Sequence, residues 1–251
     1  MGEPTGTAGE HTSAIERAVE QIREGIKAIV DKFNAAIDQC NSKWFYLSPA
    51  VKLWINRSLD KFREAIDKIL AIVGEVLAHY APVTSLVNIS FHWLDAVKKP
   101  VSGMVSPVSG WANANLAYWE GGAAKHYNMQ VLPDQKDATD ALGQKAGFIS
   151  EWLYEIAISN IQYVTDLSTV VGDILGEITT AAIESLDLIN IPWAIDRLAN
   201  AVGQLVTKGV NNLLSIVQRI VEAGGRARSA ISDRVDESKF PGGSWPQAVK
   251  G

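Results

Sequence analysis

Between Ile15 and Ile37 apolar side chains recur at Ile15, Val19, Ile22, Ile26, Ile29, Phe33 and Ile37, in steps of three and four. That spacing draws one stripe along an α-helix. Glu16, Arg17, Glu20, Arg23, Glu24, Lys27, Asp31 and Lys32 fill the opposite side. A helix this long with so narrow a seam must lie against a partner of similar length, as in a coiled-coil-like hairpin. Ser13-Ala14-Ile15-Glu16 reads as a capping box at its start, and the pattern stops at Cys40-Asn41-Ser42.

The partner follows at once. Ser48-Pro49 offers an N-cap and a proline at the first helical position, and Phe62, Ile66, Ile69, Val73, Leu77 and Tyr80 repeat the stripe. After a flexible 1–12, residues 13–80 therefore read as one antiparallel hairpin with Trp44-Phe45-Tyr46-Leu47 at its turn. From Ser85 to Tyr118 the composition stays helical, with Pro100, Gly103 and Pro107 expected to kink or interrupt it. Trp119-Glu120-Gly121-Gly122 breaks the helix, and Ala123 to Leu132 makes a short one before Pro133. A longer one runs from about Lys136 to Ile189, capped by Asp134 or Asp137; Leu167, Val170, Val171, Ile174, Leu175, Ile178, Ala182, Leu186 and Ile189 form its apolar face, opposite Asp166, Asp173, Glu177, Glu184 and Asp187. Pro192 opens the last helix, striped by Ile195, Leu198, Val202, Leu205, Val206, Leu213, Ile216, Val217 and Ile220, with Gly209 a gap that admits a close neighbour and Gly224-Gly225 a bend. No period-two alternation bounded by hairpin turns occurs. The expectation is an all-α chain, an elongated bundle of long antiparallel hairpins divided as 13–80, 84–190 and 192–238, with a Pro/Gly-rich tail at 239–251.

Chemistry is sparse. A net charge of -5 leaves no basic excess to neutralise phosphates, so nucleic acid is not expected as a partner. The single cysteine, Cys40, excludes an internal disulfide framework and any multi-cysteine zinc site. His11, His79, His92 and His126 have no metal-binding spacing, and neither a Gly-x-Ser-x-Gly elbow nor a phosphate loop is present. The chain is accordingly read as non-enzymatic, without metal or cofactor. The two arginines of Gly224-Gly225-Arg226-Ala227-Arg228 read as a solvated face. Asn56-Arg57-Ser58 and Asn88-Ile89-Ser90 match the glycosylation triplet but sit in predicted helix.

No signal-peptide pattern and no apolar run of about 18 residues occurs, and the acidic stripe opposes adsorption of that helix to an anionic membrane. Gly143 to Gly147 and Gly172 to Gly176 have the small-xxx-small spacing that lets helices approach closely. Tryptophan is in excess, eight against six Tyr and six Phe. Trp44 and Trp119 fall in turns; Trp54, Trp93, Trp111, Trp152 and Trp193 are assigned to core packing; Trp245 lies in the tail.

One motif has specificity. Trp119-Glu120-Gly121 stands between helical segments, with Ala123-Ala124 next and Tyr127 after them. A Trp at such a crown covers the ends of both helices, the glycine permits the tight turn, and the alanines let the helices converge. The stretch Trp-Glu-Gly-Gly-Ala-Ala-Lys-His-Tyr resembles the signature turn of the WXG-motif superfamily of helical hairpins, substrates of type VII (ESX) secretion in actinobacteria and other Gram-positive bacteria. The resemblance covers roughly Ser85 to Asp166, and the first hairpin, with Trp44 at its turn, looks like a degenerate relative. It implies a protein secreted or held in the cell envelope, exported without a cleaved signal peptide. It further implies a four-helix bundle of two hairpins, and as partners the type VII secretion ATPase and either a small helical-hairpin protein or a second hairpin of the chain itself. Trp119, Gly121, Tyr127 and Trp44 are then the secretion and pairing residues. The family's Tyr-x-x-x-Asp/Glu export signal is missing, since Tyr163 has Asp166 only three residues on; in a paired substrate the partner carries it. The chain is thus read as a tandem hairpin or the targeting region of a larger effector. Two other classes compete: a pore-forming protein opening its apolar hairpins around Val164 to Val221 onto a bilayer, and a structural helical bundle.

Overall fold

The structure, a computed structural model, describes residues 4–79, 81–109, 118–184, 191–233, 239–240 and 245–246. Among the described residues the fold is all-α: α1 (Ala8–Lys43), a 3-10 turn (Trp44–Tyr46), α2 (Pro49–His79), α3 (Ala81–His92), α4 (Lys99–Ser109), α5 (Gly122–His126), α6 (Leu132–Glu184) and α7 (Ile191–Asp233). Tyr80, Trp111, Leu186, Asp187 and Ile189 of the sequence reading lie outside these residues, as do the side chains of Ala182 and Glu184.

Helix starts differ from expectation at α6, which begins at Leu132 so that Asp134 and Asp137 lie inside it rather than capping it, and at α1. α1 begins at Ala8, upstream of Ser13, because Gly6 at φ 74° turns the chain just ahead and no residue between it and Ser13 breaks a helix. Ser13 therefore lies inside the helix, its carbonyl accepting from Arg17 Nε at 3.1 Å. Ser48 does cap α2, since Val51 N–H donates to its Oγ at 3.4 Å.

The prolines interrupt less than their chemistry predicts. Turns of π-helix occupy Trp93–Lys98 and Tyr127–Val131, closing when Lys99 N–H donates to the Leu94 carbonyl and Leu132 N–H to the Tyr127 carbonyl. Each wide turn ends two residues before a proline, Pro100 or Pro133. A proline has no N–H and its ring collides with the carbonyl four residues back. Widening the preceding turn moves that carbonyl aside, so the helical path continues through both prolines. Gly224 and Gly225 likewise leave α7 unbroken.

The chain divides into two units, Gly9–Thr84 with Ile158–Ile220, and Met1–Ala8 with Ser85–Ala157 and Val221–Gly251. The division cuts inside α6 and α7, and the burial pattern of α6 gives a reason. Before Ala157 its buried positions are mostly small, Ala138, Thr139, Gly143, Ala146, Gly147 and Ser150, with Phe148 the one large side chain among them; beyond it they are Ile161, Val164, Leu167, Val171, Ile174 and Ile178. Small side chains suit a single close neighbour, whereas branched aliphatics fill the core of a bundle.

The first of these units is built from four helices. Phe33 meets Phe62 edge-on at 4.7 Å and Cys40 shares a cluster with Ile55, so α1 and α2 run antiparallel. Residue numbers climb together between α1 and α6, where Ser168 Oγ donates to Gln21 Oε1 at 2.9 Å and Gly25 faces Val171. They also climb together between α2 and α7, where Trp54 meets Trp193 and Ser58 Oγ donates to Asp196 Oδ1 at 2.9 Å. Both pairs are parallel. Ile15, Ile22, Ile29, Ile55, Phe62, Ile69, Leu167, Val171, Ile174 and Ile178 are essentially solvent-free in this core, each contributing about 1.5–3 kcal/mol by burial.

In the other unit α3 and α4 lie antiparallel to the first half of α6. Ser150 Oγ donates to the Ser90 carbonyl at 2.7 Å, Lys98 covers Gly147 and Ser102 covers Gly143. Gly143 and Gly147 thus mark a close approach, while Gly172 and Gly176 face open space and do not. The chain around Lys239, Phe240 and Pro246, expected to be a flexible tail, is tied to α6. Lys239 Nζ pairs with Asp137 at 2.7 Å, Phe240 lies under Lys145 Nζ at 5.2 Å, and Gln135 Nε2 donates to the Pro246 carbonyl at 3.2 Å. At the other terminus, Tyr154 Oη donates to the Thr5 carbonyl at 3.2 Å.

A methyl group at Gly25 falls 2.5 Å from Val171 Cγ1, which is buried and held in one helical rotamer. Gly25→Ala is expected to lower stability by about 1–2 kcal/mol despite the gain in helix propensity. Gly172→Ala, in open space on α6, is expected to raise it by about 0.5–1 kcal/mol. Urea midpoints of the two variants against the parent check the pair.

Candidate functional site

The residues singled out by the Trp-x-Gly signature form a small constellation where the chain enters α5. Gly121 adopts φ 102° and ψ −173°, a region only glycine occupies without strain. Its carbonyl accepts from Lys125 N–H at 3.1 Å, which opens α5. The reversal brings Trp119 back over the following helix, so that its ring lies 5.6 Å from that of Tyr127, tilted by 52°. A tilted aromatic pair at this separation is attractive beyond its buried area. Ala124, on the first turn of α5, is buried.

Trp119 is still 39% exposed and its neighbour Tyr118 is 88% exposed, so the crown is an apolar surface rather than core. Met129, in the wide turn, is 67% exposed and extends that surface. Glu120, Lys125 and His126 are solvent-facing around it. Periodicity does not find Met129 or Tyr118, because the π turn shifts every later side chain out of 3.6-residue phase and Tyr118 precedes the break. The chain just before Tyr118 lies outside the described residues. The arrangement offers aromatic stacking and an exposed apolar shape.

Trp44 belongs to the other unit and makes different contacts. It sits in the 3-10 turn after α1, packs against the cluster of Cys40, Ile55 and Ile195, and lies beneath Lys52 Nζ at 5.7 Å. The Leu47 N–H closes that turn on the Trp44 carbonyl at 3.2 Å. No glycine is involved.

Titratable chemistry elsewhere is limited. Among the described residues no three His, Cys, Asp or Glu side chains gather as metal ligands would. His92 and His126 are exposed. Cys40 is buried, and burial pushes its thiol up from 9.0 to about 11, with nearby Lys43 opposing the rise. Burial, then the Glu75 carboxylate, raises the Tyr163 phenol. Asp173 and Glu177 are exposed on the outer face of α6, with Asp166 half-buried. Comparisons with protein-family models, curated proteins and solved structures gave no match.

Gly121→Ala is expected to destabilise the protein by about 1–3 kcal/mol through backbone strain alone, since no neighbour lies within 4 Å of the added methyl. Gly122→Ala, in equally open space but at ordinary helical φ, is expected to be neutral or slightly stabilising. Thermal melts of the two separate the turn requirement from generic loss of flexibility. For Cys40 the raised pKa means that its stabilising effect is complete below pH 9 and is lost as pH rises towards about 11. Iodoacetamide should leave the native thiol largely unmodified at neutral pH and modify it fully in guanidinium chloride.

Proposed function

We infer that the chain is a non-enzymatic, exported helical protein acting through helix–helix recognition, a type VII secretion substrate or the targeting and pairing region of a larger secreted effector. Trp119, Gly121 and Tyr127 are the recognition residues, with Trp44 in a supporting role at the turn after α1. The observation that carries the reading is the crown itself. Gly121 at positive φ folds Trp119 onto Tyr127 while leaving the indole half in solvent, an arrangement suited to being read by another surface. The antiparallel packing of α3 and α4 on α6, with its glycine close approach, supports it further. The four helices of the other unit bury their own apolar stripes, which favours a chain that supplies its own bundle and leaves the crown for the secretion ATPase or a small hairpin partner.

In a type VII-competent host, Trp119→Ala is expected to abolish export or pairing while the far-ultraviolet circular dichroism stays helical. Secretion of that variant at the parent level contradicts the assignment. Trp119→Phe, which keeps a ring against Tyr127, should retain most of the export.

A further inference from the structure

The turn between α1 and α2 sorts its side chains into two sets. Trp44, Leu47 and Val51 pack inward on Cys40, Ile55 and Ile195. Phe45 and Tyr46 stand outward, 91% and 78% exposed, their rings edge-to-face at 6.1 Å. Leu53, early in α2, is 54% exposed. Trp193, assigned to the core by its helical position, is instead 66% exposed, its ring meeting Trp54 edge-on at 4.8 Å. Ile195, two residues further along α7, reaches the same inward cluster, which places Trp193 at this end of the unit. The inward anchors, the Ser48 cap and the Leu47–Trp44 hydrogen bond hold the outward set in place. A single exposed apolar residue is ordinary, but four large ones at one end of a unit mark it as a candidate interaction surface.

The charge around it identifies what the surface meets. From Gln39 to Leu59 the chain carries Lys43, Lys52 and Arg57 and no acid, within a protein of net charge -5. The flanking carboxylates are engaged: Asp60 with Arg63 at 3.7 Å, and Asp196 with Ser58 and Asn200. Asp38, exposed on the last turns of α1, and Arg197, exposed beside Asp196, are further charges on this side among the described residues. Tryptophan and tyrosine favour the headgroup level of a bilayer, and lysines beside them favour an anionic leaflet. No single helix among the described residues is long and apolar enough to cross a membrane.

We propose that this end of the unit, with Phe45, Tyr46, Leu53 and Trp193 flanked by Lys43 and Lys52, docks peripherally on an anionic lipid bilayer. The site is separate from the Trp119 crown and does not rest on the secretion reading. Sedimentation of the purified full chain with vesicles tests it. Vesicles of phosphatidylcholine with phosphatidylglycerol should bind at least about tenfold more tightly than phosphatidylcholine alone, and high salt should remove the difference. Phe45→Ser combined with Tyr46→Ser should weaken binding by about tenfold or more with an unchanged circular dichroism spectrum, because both side chains are exposed. Trp119→Ala should bind as the parent does. Brominated lipid should quench the parent's tryptophan emission, and Trp193→Phe should reduce that quenching, the remainder coming from Trp54 and Trp44 beside it. The proposal is overturned by absence of sedimentation with anionic vesicles, by undiminished binding of the double variant, or by absence of any quenching of the parent by brominated lipid. A lipid-free dimer, seen by light scattering and dissolved by the double variant, would assign the surface to a second copy and overturn it equally.

Discussion

A helix of 53 residues is stable in water only if something lies along its whole apolar stripe, and α6 imposes that condition on the rest of the chain. At about 1.5 Å per residue it is roughly 80 Å long, more than α3 and α4 together can cover. Its first half answers with small side chains that seat one antiparallel neighbour closely. Its second half carries Ile161, Val164, Leu167, Val171, Ile174 and Ile178 into a core shared with α1, α2 and α7. The division into two units falls where this change occurs along α6.

Close approach recurs where the chain most needs it. Gly25 admits Val171, Gly209 admits Val170, and Gly143 and Gly147 admit Ser102 and Lys98. In each case a neighbouring side chain occupies the volume a Cβ would take, so helix propensity is given up for contact. Gly121 differs in kind. Its surroundings are open, and only its backbone conformation requires glycine. That contrast separates glycines that hold the bundle together from the one that shapes an exposed turn, and it underlies treating Trp119 and Gly121 as recognition residues.

Much of this was legible in sequence. The stripes through Ile15, Ile22, Ile29 and Phe33, and through Phe62, Ile66, Ile69 and Val73, are the buried ones, because a 3.6-residue period reports one face directly. Gly209 was readable as a gap in a stripe. Gly25 was not, since it interrupts nothing and only tertiary packing reveals the Val171 methyl above it. Nor were the paths through Pro100 and Pro133, whose cost a widened turn absorbs before the proline is reached. Trp193 was misjudged for a general reason: helical position fixes a side chain's direction, whereas exposure depends on where the neighbouring helices end. Of the candidate site, the tight turn at Gly121 was readable, while the angle and distance at which Trp119 meets Tyr127 depend on backbone dihedrals that no residue pattern reports.

The central structural claim is that α1 runs parallel to the second half of α6, so that the chain builds a four-helix core from its own segments. An ideal Cβ at Gly25 lies 3.8 Å from Val171 Cβ, at the usual separation across a disulfide. Gly25→Cys with Val171→Cys, in a Cys40→Ala background, tests this register directly by peptide mass mapping after mild oxidation. The account predicts an intramolecular disulfide joining positions 25 and 171 in the folded protein. Two persistently free thiols in a chain that remains helical would contradict it.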